Sequence, residues 1–330
     1  MKRQLISVLL TIVILLPAFP VSADVDQGDF YGNYYGQAVD LGAPFEQLLP
    51  VDCVTGELNG HNMLYTTSSG TWAQFYAYDL TDQKIVFTAP LVGAKACWTH
   101  KKSSKGIIYM CADGYVFSYD PYTNTFKSYG RALGEKQSFE AAFDEEDNLY
   151  IATYPNARIA KLDAKTGEIS DFLGKPLIEG RTYVRSLCSA GGNLYGTTYG
   201  DGNKVEFCKV NLKTKNVEVI PLPRLEGFFL EEEALWLYAL TTAGDYIFMN
   251  IKTSSNSPLL IYNWKKGEFV LKDDVFVHFR GHHVSEVNDN KVYFISGMGN
   301  SKTIRGFDLE TETMFDTGID YFSGDRKSVV

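Results

Sequence analysis

The chain has 330 residues and a formal net charge of -9. This acidic balance argues against nucleic acid and anionic membranes as partners, because both would favour a basic face on the protein. Glycans, small molecules and proteins remain as partner classes. The sequence contains 21 tyrosines, 21 phenylalanines and 29 glycines, a composition typical of half-buried strands joined by tight turns.

The first residues have the pattern of a secretory signal peptide. Lys2 and Arg3 precede an apolar run from Leu5 to Phe19, and Val21-Ser22-Ala23 provides a small-residue cleavage site. We therefore expect residues 1–23 to be removed and the mature protein to be secreted, either extracellular or on the cell surface. An uncleaved anchor is the alternative, but the apolar run is short for a bilayer span.

A turn pattern repeats along the rest of the chain. Asp or Asn follows an apolar residue and caps a tight turn at intervals of about 40–50 residues, the period of propeller blades. The six positions are Asp79, Asp120, Asp163, Asn211, Asn263 and Asp308. The pattern predicts six complete blades between Glu46 and Tyr321, within a single all-β domain over residues 24–330.

The two chain ends predict one further blade. Tyr35–Phe45 has the pattern of a lone fourth strand, and residues 322–330 resemble the opening of another first strand. A last blade completed from both ends would close the ring. We therefore expect a seven-bladed plan with one split blade that is incomplete at the C-terminus. Such an unclosed blade exposes strand edges and favours aggregation.

The stretch from Arg181 to Pro223 shows one blade most clearly. Its predicted strands are Tyr183–Ser189, Leu194–Tyr199, Val205–Val210 and Val217–Leu222, with a turn at Gly191-Gly192. Four short strands joined in series by Gly-, Asn- and Asp-containing turns are typical of a propeller blade.

Another blade has the form LYIATYPNARIAKLDAKTGEI, from Leu149 to Ile169. It resembles secreted bacterial propellers of the broad quinoprotein-like and streptogramin-lyase-like kind. This resemblance implies the fold and not a substrate or a catalytic residue. The tryptophan-docking motifs and cofactor ligands of quinoprotein dehydrogenases are absent from the sequence, so we expect no cofactor.

The five cysteines have no CxxC or Cys/His zinc spacing, so the sequence predicts no metal site. Cys97 and Cys111 fall on predicted adjacent strands of one blade, where a disulfide remains open. Cys188 and Cys208 are separated by an intervening strand and lie too far apart for one.

A ligand site is expected where the first strands of the blades enter the central channel. Counting nine residues back from each second-strand start selects Thr99, Glu140, Arg185 and His283 as channel residues. The expected ligand-binding residues are Glu140, Arg280 and His282 beside the channel, and Tyr154, Tyr199 and Trp72 on the rim loops. Aromatic faces beside polar groups suit sugar rings, so the sequence predicts a recognition module for an extracellular glycan or small molecule. A protein partner stays open.

Two alternatives accompany this prediction. The first is structural, with Glu140 and Arg185 bonding neighbouring blades. The second is a lyase acting on uronate-containing polysaccharides, in which His283 or His282 removes a proton, Tyr183 donates one and Arg185 or Arg280 neutralises the carboxylate. His282 and His283 are adjacent in a strand, so at most one of them faces the channel.

Overall fold

The computed structural model describes residues 50–200, 205–223, 236–252, 258–270, 284–296 and 303–320. These residues form strands β1 to β23 and a single turn of 3-10 helix, Ala132–Gly134. No helix in these ranges is long and apolar enough to cross a membrane. The predicted signal peptide, the predicted strand Tyr35–Phe45 and residues 322–330 lie outside the described ranges.

The strands form six antiparallel sheets, numbered here in chain order. Sheets one to five have four strands each, and sheet six has three strands within the described residues. Sheet one contains β1 (Pro50–Leu58), β2 (His61–Ser68), β3 (Ala73–Asp79) and β4 (Lys84–Leu91). Sheet two contains β5 (Cys97–Lys102), β6 (Ile108–Ala112), β7 (Tyr115–Asp120) and β8 (Thr125–Arg131). Sheet three contains β9 (Gln137–Phe143), β10 (Leu149–Tyr154), β11 (Ile159–Leu162) and β12 (Ile169–Asp171).

The second half of the chain continues the same order. Sheet four contains β13 (Tyr183–Ala190), β14 (Asn193–Tyr199), β15 (Val205–Asn211) and β16 (Val217–Ile220). Sheet five contains β17 (Trp236–Ala243), β18 (Tyr246–Lys252), β19 (Leu259–Asn263) and β20 (Glu268–Val270). Sheet six contains β21 (Lys291–Ser296), β22 (Thr303–Asp308) and β23 (Thr313–Asp320). In each four-stranded sheet the strands pair in sequence order, as a meander, which confirms the predicted propeller blade.

The six turn residues have the predicted role. In each, a side-chain oxygen accepts backbone N–H groups two and three residues further along. Asp163 Oδ1 accepts from Lys165 and Thr166 at 3.0 and 2.9 Å. The same bonds occur at Asp79, Asp120, Asn211, Asn263 and Asp308. These N–H groups also lower the pKa of the Asp163 carboxyl, because they stabilise its charged form.

Hydrophobic clusters fill the space between each pair of consecutive sheets, from one to six. Alternate residues of one strand enter different clusters. Leu149 and Ile151 of β10 pack towards sheet two, whereas Tyr150 and Ala152 pack towards sheet four. This follows from the two-residue period of a strand that is buried on both faces. The first strands of sheets one to five also contact each other in consecutive pairs.

Candidate functional site

The first strands of sheets two, three and four each contain a β-bulge near the rim. Cys97 pairs with Ala112 and Thr99 with Cys111, so Trp98 is left without a partner in the ladder. Phe139 is the unpaired residue of β9, and Arg185 is that of β13. A bulge redirects a side chain out of the regular alternation, and bulges commonly lie next to functional sites.

This register corrects the choice of channel residues that was made by counting nine residues back from each second strand. Three residues after the second-strand starts used in that count, which are Ile108, Leu149 and Leu194, the pairs are Cys111 with Thr99, Ala152 with Glu140 and Thr197 with Ser186. Ser186, not Arg185, is therefore the counterpart of Glu140.

The cause is a shorter hairpin in sheet four. In sheet four, the paired residues Ala190 and Asn193 enclose two residues, Gly191 and Gly192. In sheet three, the Asp144 N–H donates to the Asn148 carbonyl, and this bond encloses residues 145–147, a loop that is one residue longer. A fixed offset of nine residues consequently overshoots by one residue in sheet four.

The redirected side chains contact one another in series. Trp98 and Phe139 have ring centroids 6.1 Å apart, and the Arg185 guanidinium carbon lies 4.6 Å from the Phe139 ring centroid. The same guanidinium carbon lies 4.1 Å from the ring centroid of Tyr238 in sheet five. We call these four residues the bulge stack. Each comes from a different sheet, so the stack extends across sheets two to five.

A second aromatic group lies at the strand ends beside the bulge stack. Tyr183 stacks on Tyr154 at 4.2 Å, and Tyr199 stacks on Trp236 at 3.8 Å. Tyr183 also contacts Phe139 at 5.4 Å, which links the two groups. We call Tyr154, Tyr183, Tyr199 and Trp236 the rim cluster. All four are half-buried, so part of each ring faces solvent.

Three of these rim residues were predicted and the structure brings them together: Tyr154, Tyr183 and Tyr199. Sequence reasoning missed Phe139, Trp236 and Tyr238 as site residues. The alternation Trp236-Leu237-Tyr238, with Leu237 buried, is the sequence signal that could have identified the last two.

Arg185 differs from the other arginines in its surroundings. Arg158 donates to Asp171, and Arg181 forms several bonds to Glu206. Within the described part of the chain, the Arg185 guanidinium has ring contacts but no hydrogen-bond or ion-pair partner. At the other end of the stack, the indole N–H of Trp98 is buried and also lacks a described acceptor. The bulge stack is therefore rich in hydrogen-bond donors and poor in acceptors.

Glu140 lies in the interior rather than on the rim surface. It is 5% exposed, and its Oε1 accepts from Thr99 Oγ1 at 3.1 Å and lies 2.8 Å from Lys101 Nζ. Burial lowers the pKa of Lys101, but the Glu140 carboxylate outweighs this effect and raises it. Glu140 therefore bonds neighbouring sheets, as in the structural alternative.

A second buried ion pair connects sheets one and two. Asp52 Oδ2 accepts from the His100 backbone N–H at 2.6 Å and lies 3.5 Å from His100 Nδ1. On the other side of the ring, Nε2 is 2.7 Å from Thr67 Oγ1 and 3.8 Å from Cys97 Sγ. Burial favours neutral His100, yet Cys97 and Asp52 outweigh it and raise the pKa of His100 to about 10.

Tyr183 keeps its proton at neutral pH. Burial and the neighbouring Tyr154 raise its pKa, although the charge of Arg185 acts in the opposite direction. A tyrosine with a raised pKa is protonated at neutral pH.

The remaining predicted residues have varied positions. Trp72, in the β2–β3 connection, is 50% exposed and makes no ring contact with the described cluster. Arg280, His282 and His283 lie outside the described residues, so their predicted roles stay predictions.

All five cysteines are free thiols. The disulfide between Cys97 and Cys111, which the sequence left undecided, is therefore not formed. Among the described residues, His61, Asp79 and Asp82 bring possible metal-ligand atoms within 4.8 Å of one another. His61 Nδ1 lies 2.8 Å from Asp79 Oδ2, and Lys84 Nζ lies 2.8 Å from Asp82 Oδ2. These contacts explain why His61, Asp79 and Asp82 lie close together, as members of an ion-pair network.

These meandering sheets, packed in series, define the protein as a β-propeller. Its structural neighbours are propellers of the kinds that the sequence resembles. One is virginiamycin B lyase from Staphylococcus aureus, in a catalytically inactive variant with quinupristin, with a TM-score of 0.59 and 12% identity over 81% of this chain and 83% of that one. Another is hydrazine synthase from Kuenenia stuttgartiensis, with a TM-score of 0.58 and 13% identity over 84% of this chain and 81% of that one. The Dos1 propeller has a TM-score of 0.53 and 12% identity over 82% of this chain and 74% of that one.

These likenesses show the fold alone. No protein-family model matches the sequence, and no curated protein matches it.

Proposed function

We propose that this propeller is a secreted recognition module that binds an extracellular glycan through the rim cluster. The observation that carries the proposal is the pair of ring stacks, Tyr154 with Tyr183 and Tyr199 with Trp236, held half-buried at the ends of neighbouring strands. Sugar rings present apolar C–H faces that pack on aromatic rings, and hydroxyls that bond to Tyr O–H and Trp N–H groups. Secretion is inferred from the predicted signal peptide.

The stacking also prepares the site for a ligand. Rings that already pack on each other lose little conformational freedom when a ligand arrives, which lowers the entropic cost of binding. Aromatic side chains that were mobile before binding would instead have to be ordered by the ligand, which raises the entropic cost. The rim cluster is therefore suited to a ligand that contacts several rings at once.

The test is binding of the purified protein to a panel of neutral and acidic polysaccharides, followed by calorimetric titration with oligosaccharides of the best binder. Trp236→Ala removes half of one ring stack, so affinity should fall roughly tenfold. Tyr122→Ala is the matched control, because Tyr122 is 63% exposed in the β7–β8 turn and belongs to neither aromatic group. Unchanged affinity in Trp236→Ala, or binding to no polysaccharide, would refute the proposal.

The alternative function is a uronate polysaccharide lyase, and an absorbance assay distinguishes it from the recognition module. Protonated Tyr183 beside Arg185 supports the donor half of that chemistry, because a leaving oxygen needs a proton and a uronate needs a cation. Its proposed base, His283, lies outside the described residues. Ultraviolet absorbance of an unsaturated product, formed by the wild type and lost in His283→Ala, would establish the lyase in place of the recognition module.

A further inference from the structure

Arg185 identifies the class of glycan, and this inference rests on the proposed function. We propose that the ligand is an acidic glycan and that Arg185 binds a carboxylate of one of its sugars. Within the described chain the Arg185 guanidinium has no anionic partner, whereas Arg158 and Arg181 each have a carboxylate. A half-buried cation without a counter-charge is costly, and an anionic ligand removes that cost.

The packing around Arg185 determines how an anion can approach. The guanidinium carbon lies 4.6 Å from the Phe139 ring centroid and 4.1 Å from the Tyr238 ring centroid. Neither ring is a hydrogen-bond partner for the guanidinium, so its N–H donors remain for a ligand. A carboxylate that binds in the plane of the guanidinium can accept two parallel hydrogen bonds from these donors.

The local charges favour a monoanion over a phosphate. Arg185 is the one cation in the described bulge stack and rim cluster, and the nearby Lys101 is already paired with Glu140 at 2.8 Å. A single cation balances one carboxylate, whereas a phosphate monoester carries nearly two charges at neutral pH. The Trp98 N–H, buried without a described acceptor, adds to the shortage of acceptors in the stack.

The position of Arg185 relative to the rim cluster points to a sugar acid rather than a small free acid. Tyr183 precedes Arg185 by two residues on β13, and the Tyr183 ring contacts the Phe139 ring that covers the guanidinium. A ring lying on the rim cluster can therefore direct an attached carboxylate towards Arg185. Uronic acids have this arrangement, because their carboxyl group is bonded directly to the sugar ring.

The experiment compares matched pairs of ligands by calorimetric titration. Each pair is a uronate oligosaccharide and the same oligosaccharide after methyl esterification, which removes the charge and keeps the ring. The wild type should bind the acid roughly 10–100-fold more tightly than the ester. Arg185→Gln should remove this preference, and Arg185→Lys, which keeps the charge and loses the fork, should reduce it. Arg158→Gln is the control and should keep the full preference, because Arg158 is already paired with Asp171.

The outcomes distinguish this inference from the proposed function. Equal binding of acid and ester, with no effect of Arg185→Gln, overturns the carboxylate assignment and leaves glycan recognition standing. Preference for sulfated over uronate oligosaccharides also overturns it, in favour of a sulfate ester. Binding of no glycan, acidic or neutral, overturns both proposals. Thermal unfolding shows whether Arg185→Gln is folded. If it is not, Arg185→Lys takes its place, and an unchanged ratio of acid affinity to ester affinity in that variant refutes the two-bond geometry.

Discussion

Glu140 and Arg185 lie on the first strands of neighbouring sheets, yet their charges have opposite surroundings. Glu140 is 5% exposed and bonds Thr99 and Lys101 of the preceding sheet. Arg185 is half-buried between two aromatic rings and has no described ion-pair partner. The difference follows from the bulge, because Arg185 is the unpaired residue of β13 and Glu140 is the paired residue next to the bulge of β9.

The comparison extends to the other sheets. The paired position holds Thr99, Glu140 and Ser186, and each of them bonds a neighbouring sheet. The bulge position holds Trp98, Phe139 and Arg185, which stack on each other along the rim. Adjacent residues of one strand thus divide two tasks, since one links the sheets and the other builds the candidate binding surface.

The largest effect should come from breaking the Glu140 pair. Glu140→Gln leaves Lys101 without its counter-charge, and removing one partner of a buried pair costs about 3–5 kcal/mol. We expect about 3 kcal/mol, because the Lys101 side chain is 31% exposed and keeps some hydration. Urea unfolding monitored by circular dichroism measures this loss.

Arg185→Gln is the comparison variant for that experiment. It removes cation–π contacts but no described ion pair, so its cost should stay near 1 kcal/mol. Equal losses in Glu140→Gln and Arg185→Gln would contradict the division between the two positions.

A smaller effect is expected from pH, through the Asp52–His100 pair, because Asp52 Oδ2 lies 3.5 Å from His100 Nδ1, against 2.8 Å between Glu140 and Lys101. The folded pKa of His100 is raised to about 10, above its unfolded value of about 6.5. Its contribution to stability is therefore complete below pH 6.5 and is lost as pH rises towards 10. Burial raises the pKa of Asp52, but bonding to His100 outweighs it and lowers the pKa, so the Asp52 contribution is lost in acid.

The measurement is the unfolding free energy of the wild type and of His100→Gln between pH 5 and 10. The difference between the two curves should shrink with rising pH, while titration of the tyrosines affects both proteins alike. A constant difference would show that folding does not shift the pKa of His100.

The repeated turns and strands could be predicted because their causes are local. An Asp or Asn that bonds N–H groups two and three residues ahead depends on its own turn alone, and all six such turns are present. The near-continuous apolar run of β10 likewise identifies a strand buried on both faces.

The site was harder to predict because it depends on register and on contacts between sheets. A hairpin that is one residue shorter in sheet four changed which residue lies in the bulge. The partner of Glu140 is Lys101 of another sheet, and no local pattern pairs them. Phe139 reads from sequence as an ordinary core residue until the bulge turns it towards Arg185.

The smallest expected effect tests the division of tasks inside sheet four. Ser186 Oγ accepts the backbone N–H of Ala239 in sheet five at 3.0 Å, and both residues are buried. Ser186→Ala leaves that N–H without an acceptor, at a cost of about 1–2 kcal/mol in urea unfolding. Glycan affinity should be unchanged, because the Ser186 side chain bonds the Ala239 backbone and belongs to neither the bulge stack nor the rim cluster. If Ser186→Ala instead lowers glycan affinity as much as Arg185→Gln does, the bulge does not separate the linking position from the binding position, and the candidate site extends into the contact between sheets four and five.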